Sequence, residues 1–84
     1  MHFVYVLRSR KDGEWYIGYS MSVEGRLEEH NSGRNVSTRE RRPLELMYYE
    51  AYQDKMDALG REIFLKSGSG HRFLKKQLAH FLAL

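Results

Sequence analysis

The sequence predicts an α+β domain in which a three-stranded antiparallel sheet is flanked by three helices, in the order ββαβαα. Three observations lead there. Residues 2–8 and 15–20 are rich in Val, Ile, Phe and Tyr and are joined across a Lys11-Asp12-Gly13 turn signal, which makes them a β-hairpin. Later segments switch to helical spacing of apolar residues behind good capping residues. Strands and helices do not alternate strictly, which favours an antiparallel sheet.

In order along the chain, the first strand covers residues 2–8 and the second covers Trp15 to Ser20. Ser22 is a favourable N-cap for a helix over Val23–Asn31, and Ser32-Gly33 ends it. Residues 33–42 form a basic loop closed by Pro43, and Leu44 to Tyr52 has the aromatic content of a third strand. Asp54 caps a second helix over Lys55–Lys66, with Met56, Leu59, Ile63 and Phe64 expected on its apolar face. Ser67-Gly68-Ser69-Gly70 is expected as a break. A third helix then covers His71–Leu84, burying Phe73, Leu74, Leu78, Phe81 and Leu82.

At 84 residues and 42% hydrophobic, the chain forms one domain over 1–84. A chain of this length buries only about 60% of its unfolded surface, which leaves no space for a large preformed cofactor cavity. Without cysteine it has neither disulfides nor thiolate metal sites, in keeping with a cytoplasmic setting. No run approaches the roughly 18 apolar residues of a membrane span. Met1-His2-Phe3 leads directly into strand-like sequence, so no signal peptide is expected.

The net charge of +3 is unevenly distributed. Arg34, Arg39, Arg41 and Arg42 cluster in the loop with only Glu40 to oppose them. After Glu62 there is no acidic side chain, while Lys66, Arg72, Lys75 and Lys76 remain. Two such clusters suit a polyanion, although two solvated faces would also account for them.

The hairpin register bears on the tyrosines. A loop of Arg10–Gly13 with Ser9 opposite Glu14 places Tyr5 opposite Gly18 and Tyr16 opposite Leu7, both tyrosines on one face. Gly18 within a strand marks a close approach by another group. Arg26 and His30 are four apart on the first helix and share a face. Arginine matches phosphate bidentately and histidine moves protons near neutrality. The plain alternative pairs Arg26 with Glu28 or Glu29. Glu62 is either an i, i+4 partner for Lys66 or a hard oxygen ligand for Mg²⁺.

Phe3-Val4-Tyr5 followed by Tyr16-Ile17-Gly18 resembles the signature of the GIY-YIG nucleases, with the second triplet intact and the tyrosine of the first retained. The resemblance continues through Arg26, His30-Asn31-Ser32-Gly33, Ser37-Thr38 and the helix bearing Glu62. Residues 66–76 are similar to the basic tail of short, stand-alone members related to the UvrC nuclease domain. The resemblance implies a DNA endonuclease using Mg²⁺ or Mn²⁺ held by Glu62. It further implies that Arg26 binds the scissile phosphate, a tyrosinate at Tyr5 activates water with His30, and Tyr16 orients phosphate or water. Either Tyr5 or His30 could be the base. Arg34, Arg39, Arg41, Arg42, Lys66, Arg72, Lys75 and Lys76 are expected to hold DNA with little sequence specificity, on single strands, duplexes or branches. A protein partner could supply the target. The competing readings are a non-catalytic nucleic-acid-binding module on the same fold and an interaction subunit.

Overall fold

Alternation along the hairpin sends Val4, Val6 and Ile17 to one face of the sheet and Tyr5, Leu7 and Tyr16 to the other, and the fold is built by covering both. The structure, a computed structural model, describes residues 1–83. Strands β1 (His2–Ser9), β2 (Trp15–Ser20) and β3 (Leu44–Tyr52) form an antiparallel sheet in the order β2-β1-β3. The hairpin adopts the expected register, with Tyr5 opposite Gly18 and Leu7 opposite Tyr16. Ser9 and Glu14 close the turn with a 2.9 Å backbone bond. Between β1 and β3 the pairing steps from Val6–Tyr48 to Leu7–Leu46, so Met47 is the extra residue of a bulge.

Helix α1 (Val23–Asn31) lies on the Tyr5 face, where Val23 and Leu27 pack against Tyr5, Leu7 and Leu44. Ser22 caps it by accepting from the Gly25 amide at 3.1 Å. At its end Asn31 donates to the Leu44 carbonyl and accepts from the Leu44 amide, at 2.9 and 2.8 Å, which ties α1 to the start of β3. Helices α2 (Lys55–Lys66) and α3 (Gly68–Gln77) cover the opposite face, where Ala58, Leu65 and Leu74 meet Val4, Val6 and Ile17.

The bounds of α1, β3 and α2 are those expected, but three expectations are corrected. Met56 and Ile63 are 71% and 73% exposed; Ala58 and Leu65 form the inner face of α2, with Leu59 and Phe64 half-buried. The break expected over Ser67-Gly68-Ser69-Gly70 is confined to Ser67, which is extended and caps α3 by accepting from the Gly70 amide at 3.1 Å, so residues 68–70 form the first turn of α3. The glycine at 70 lets α3 cross close to the backbone of α2, since a Cβ there would stand 2.0 Å from the Phe64 carbonyl oxygen. The expected single helix over 71–84 is instead α3 followed by a short α4 (Ala79–Leu82), and Leu84 lies outside the described residues. Phe81 remains 37% exposed, beneath the guanidinium of Arg8 at 4.8 Å. The basic loop also carries a 3-10 turn at Arg39–Arg41.

Candidate active site

The Tyr5 side chain, 2% exposed, lies across Gly18 of β2, an edge strand. A Cβ at Gly18 would stand 2.4 Å from the phenolic oxygen, so the glycine is a steric requirement of the tyrosine's position. The hydroxyl is thereby carried from the central strand toward the open rim of the sheet. Burial first, and then the neighbouring Tyr16, push the pKa of the Tyr5 phenol well above its ordinary value, while the Arg26 charge pulls it down.

His30, on the last turn of α1, is fully buried. Its Nε2 lies 3.2 Å from the Tyr5 oxygen, and its Nδ1 lies 2.7 Å from Oγ1 of Thr38, which is also fully buried. Burial first, and then the charge of Arg26, hold the imidazole below its usual value near 6.5, so it is neutral at pH 7. Tyr16 is half-buried and packs edge-on to His30, with ring centroids 4.7 Å apart, and lies 6.5 Å from the Tyr5 ring. These contacts gather Tyr5, Tyr16 and His30 around one point on the α1 side of the sheet.

Arg26, one turn before His30, is half-exposed and makes a loose pair with Glu29 at 3.6 Å. Glu62 belongs to α2 on the other side of the sheet, on the helical face that carries Ala58 and Leu65. Its carboxylate is mostly buried, pairs with Lys66 at 3.2 Å, and still exerts its charge on Tyr5. Thus the pairs Arg26–Glu29 and Glu62–Lys66, foreseen as plain alternatives, both form, and both acting groups remain within electrostatic reach of the Tyr5 phenol.

The GIY-YIG catalytic domain model matches residues 1–76, most of the chain. The chain belongs to the GIY-YIG family. It is similar to the UPF0213 proteins of Staphylococcus aureus strains Mu3 and N315, each 40% identical over 75 residues that span 88% of this chain and 90% of the relative. The solution NMR structure of the UPF0213 protein BH0048 from Bacillus halodurans is 36% identical, with a TM-score of 0.55, covering 95% of this chain and 83% of that one.

No three His, Asp or Glu side chains converge among the described residues, and the carboxylates that act on the Tyr5 phenol are those of Glu62 and Glu29. The donor chemistry of Glu62 fits Mg²⁺, which commonly takes one or two protein carboxylates and completes its shell with phosphate and water. The two basic clusters stand differently around the tyrosines. Arg34, Arg39, Arg41 and Arg42 are exposed, and Arg39 and Arg42 use Nε to bind the carbonyls of Gly33 and Arg39 at 2.9 and 2.8 Å. That bonding folds the loop back on itself, next to Thr38. Lys66, Arg72 and Lys75 line a groove with His71, whose ring stacks on Trp15 at 5.4 Å. Lys76 is separate from them, beside Phe73 and Gln77. Sequence reasoning missed Thr38 as a member of the buried chain; its only signal was the Ser37-Thr38 dipeptide within the family pattern. It also missed the Trp15–His71 stack, which joins residues far apart in the chain.

Proposed function

We propose that this member of a nuclease family is a divalent-metal-dependent endonuclease that hydrolyses DNA phosphodiester bonds in the cytoplasm, with little sequence specificity and a preference for single-stranded or branched DNA. The observation that carries the reading is the grouping of Tyr5, Tyr16 and His30 at one point, with Arg26 and Glu62 acting electrostatically on the same phenol.

Glu62 would hold Mg²⁺ or Mn²⁺, which when bound supplies Lewis-acid stabilisation of charge on the phosphate and the leaving oxygen. Arg26 is free to turn its planar fork from the loose Glu29 contact to the scissile phosphate, meeting the charge that grows in the transition state. Tyr5 carries the proton-accepting oxygen: as tyrosinate it takes a proton from the attacking water as the new P–O bond forms and the old one breaks. His30 has no exposed surface, so it acts through Tyr5 rather than on the water. Burial opposes the tyrosinate, and Arg26 offsets part of that cost. Tyr16, half-buried, orients the phosphate. The exposed arginines of the loop and the lysines along α3 hold the backbone of the DNA, and contacts of that type carry no base information. A protein partner would then supply the target.

Labelled single-stranded, duplex and branched DNA incubated with Mg²⁺ or Mn²⁺ tests the reading. Glu62→Ala is expected to lower the cleavage rate by at least about 100-fold. Its unfolding midpoint and its DNA binding in chelator should stay close to the parent's, because the Lys66 end of the Glu62–Lys66 pair is 55% exposed and solvent screens the pair. Equal rates for parent and variant across a Mg²⁺ titration would leave the non-catalytic binding module as the better reading.

A further inference from the structure

Thr38 is the one fully buried residue of the loop between α1 and β3. Its Oγ1 lies 2.7 Å from His30 Nδ1, and no second hydrogen bond of that hydroxyl is present among the described residues. A hydroxyl carries one hydrogen to donate and lone pairs to accept with. If Nδ1 bore the ring proton, the threonine would accept it and its own hydrogen would be left buried without a partner. Leaving a buried donor unpaired is the costlier arrangement. Donation from Thr38 to Nδ1 satisfies both atoms and puts the ring proton on Nε2, 3.2 Å from the Tyr5 oxygen; the hydrogen left over is then that of the Tyr5 phenol, which keeps 2% of its surface exposed, whereas Thr38 keeps none.

We propose that Thr38 is a positioning residue for the hydrolysis: by donating to Nδ1 it holds His30 in the tautomer whose Nε2–H is aimed at the Tyr5 oxygen. The inference rests on the nuclease reading for its consequence, though not for its geometry. The neutral state it requires is the one that burial and Arg26 impose on the imidazole. In this tautomer His30 cannot take the Tyr5 proton at Nε2; it donates to the phenolic oxygen instead. That donation stabilises negative charge on the oxygen, and it directs the phenol's own hydrogen away from the ring, so that the proton lost when the tyrosinate forms passes to solvent water and not to His30. The choice between Tyr5 and His30 as base, open from the sequence, therefore falls on Tyr5. Thr38 also begins the turn that carries Arg39 and Arg41, so the loop that bears the cations is anchored on the same imidazole.

The experiment has two arms. In the first, long-range ¹H–¹⁵N spectra of the DNA-free protein report the His30 tautomer, and protonated Nε2 with unprotonated Nδ1 is expected. Protonated Nδ1 would overturn the proposal whatever the enzyme does. In the second, Thr38→Val removes the donor with little change of shape, and kcat is expected to fall by about tenfold or more with KM held, because Thr38 does not touch DNA. Thr38→Ser, which keeps the hydroxyl, should retain both the tautomer and kcat to within about threefold. An unchanged kcat in Thr38→Val, or a loss carried entirely by KM, would refute the positioning role. If Thr38→Val fails to fold, the parent tautomer and the Thr38→Ser rates still decide. If the parent cleaves no DNA, the nuclease reading fails while the tautomer arm remains a test of the Thr38 bond.

Discussion

Gly18→Ala puts the geometry of the site under direct strain. The added Cβ would stand 2.4 Å from the Tyr5 oxygen, 2.6 Å from Cζ and 3.0 Å from Cε2. These are carbon and oxygen atoms well inside contact distance, so one partner must move. Tyr5 sits on the central strand between β2 and β3, and its ring is flanked by Tyr16 and His30, which leaves little room to slide. The ring can escape only by breaking the 3.2 Å contact with His30 or by displacing β2. Overpacking of this type costs about 1–3 kcal/mol, and loss of a buried hydrogen bond adds about 1–3 kcal/mol. The lower entropy of alanine in the unfolded chain returns up to about 1 kcal/mol. The net expectation is a loss of about 2–4 kcal/mol, or roughly 10–25 °C in Tm for a domain of this size. Thermal and urea unfolding followed by circular dichroism measure it. In a Tyr5→Leu background the obstructing ring is gone, so the same glycine change should cost less than about 0.5 kcal/mol, which gives a coupling above about 1 kcal/mol. An equal cost in the two backgrounds, or a neutral Gly18→Ala, would refute the placement of the phenol over Gly18.

Gly70 on α3 and Gly60 on α2 should respond in opposite directions. Gly70→Ala sets a Cβ 2.0 Å from the Phe64 carbonyl oxygen and 2.5 Å from Leu65 Cα, both backbone, and is expected to destabilise by about 2–4 kcal/mol in urea titration. Gly60→Ala meets nothing within 4 Å in the middle of an exposed helical turn, and should stabilise by about 0.5–1 kcal/mol. His30 gives a pH signature. Its folded pKa lies below the unfolded value near 6.5, so the unfolded chain binds the extra proton. Stability is therefore full above that value and falls as pH drops below it, by at most about 1.4 kcal/mol per pH unit. Urea midpoints between pH 7.5 and 5.5 should decline in the parent and stay flatter in His30→Gln; parallel curves would show that His30 is not a buried neutral imidazole.

The sequence by itself determined the features that depend on neighbours in the chain. Two-residue alternation and the length of the turn after Ser9 set the hairpin register, because a slip by one residue would turn Tyr5 and Leu7 away from their face. Ser22 and Asp54 marked the starts of α1 and α2, because a cap is a bond between a side chain and an amide two or three residues on. Likewise Arg26–Glu29 and Glu62–Lys66 follow from helical spacing alone. The tyrosines, Arg26, His30 and Glu62 could be named in advance because the family pattern is written in residue types at fixed separations.

What the tertiary structure decided is what crosses between elements. The rotation of α2 about its axis, which buries Ala58 and Leu65 and leaves Met56 and Ile63 in solvent, depends on how the helix meets the sheet and not on its own apolar content. Two closely spaced glycines read as a break in one dimension, yet Gly70 is the position where α3 crosses α2 at backbone contact. Thr38 has an ordinary sequence environment; it joins the site only because the loop folds back beneath His30 and buries a hydroxyl that then has a single atom to bond. Burial itself is such a property: it makes His30 neutral and the Tyr5 phenol reluctant to ionise, because desolvation is set by everything packed around a group and not by its neighbours in the chain.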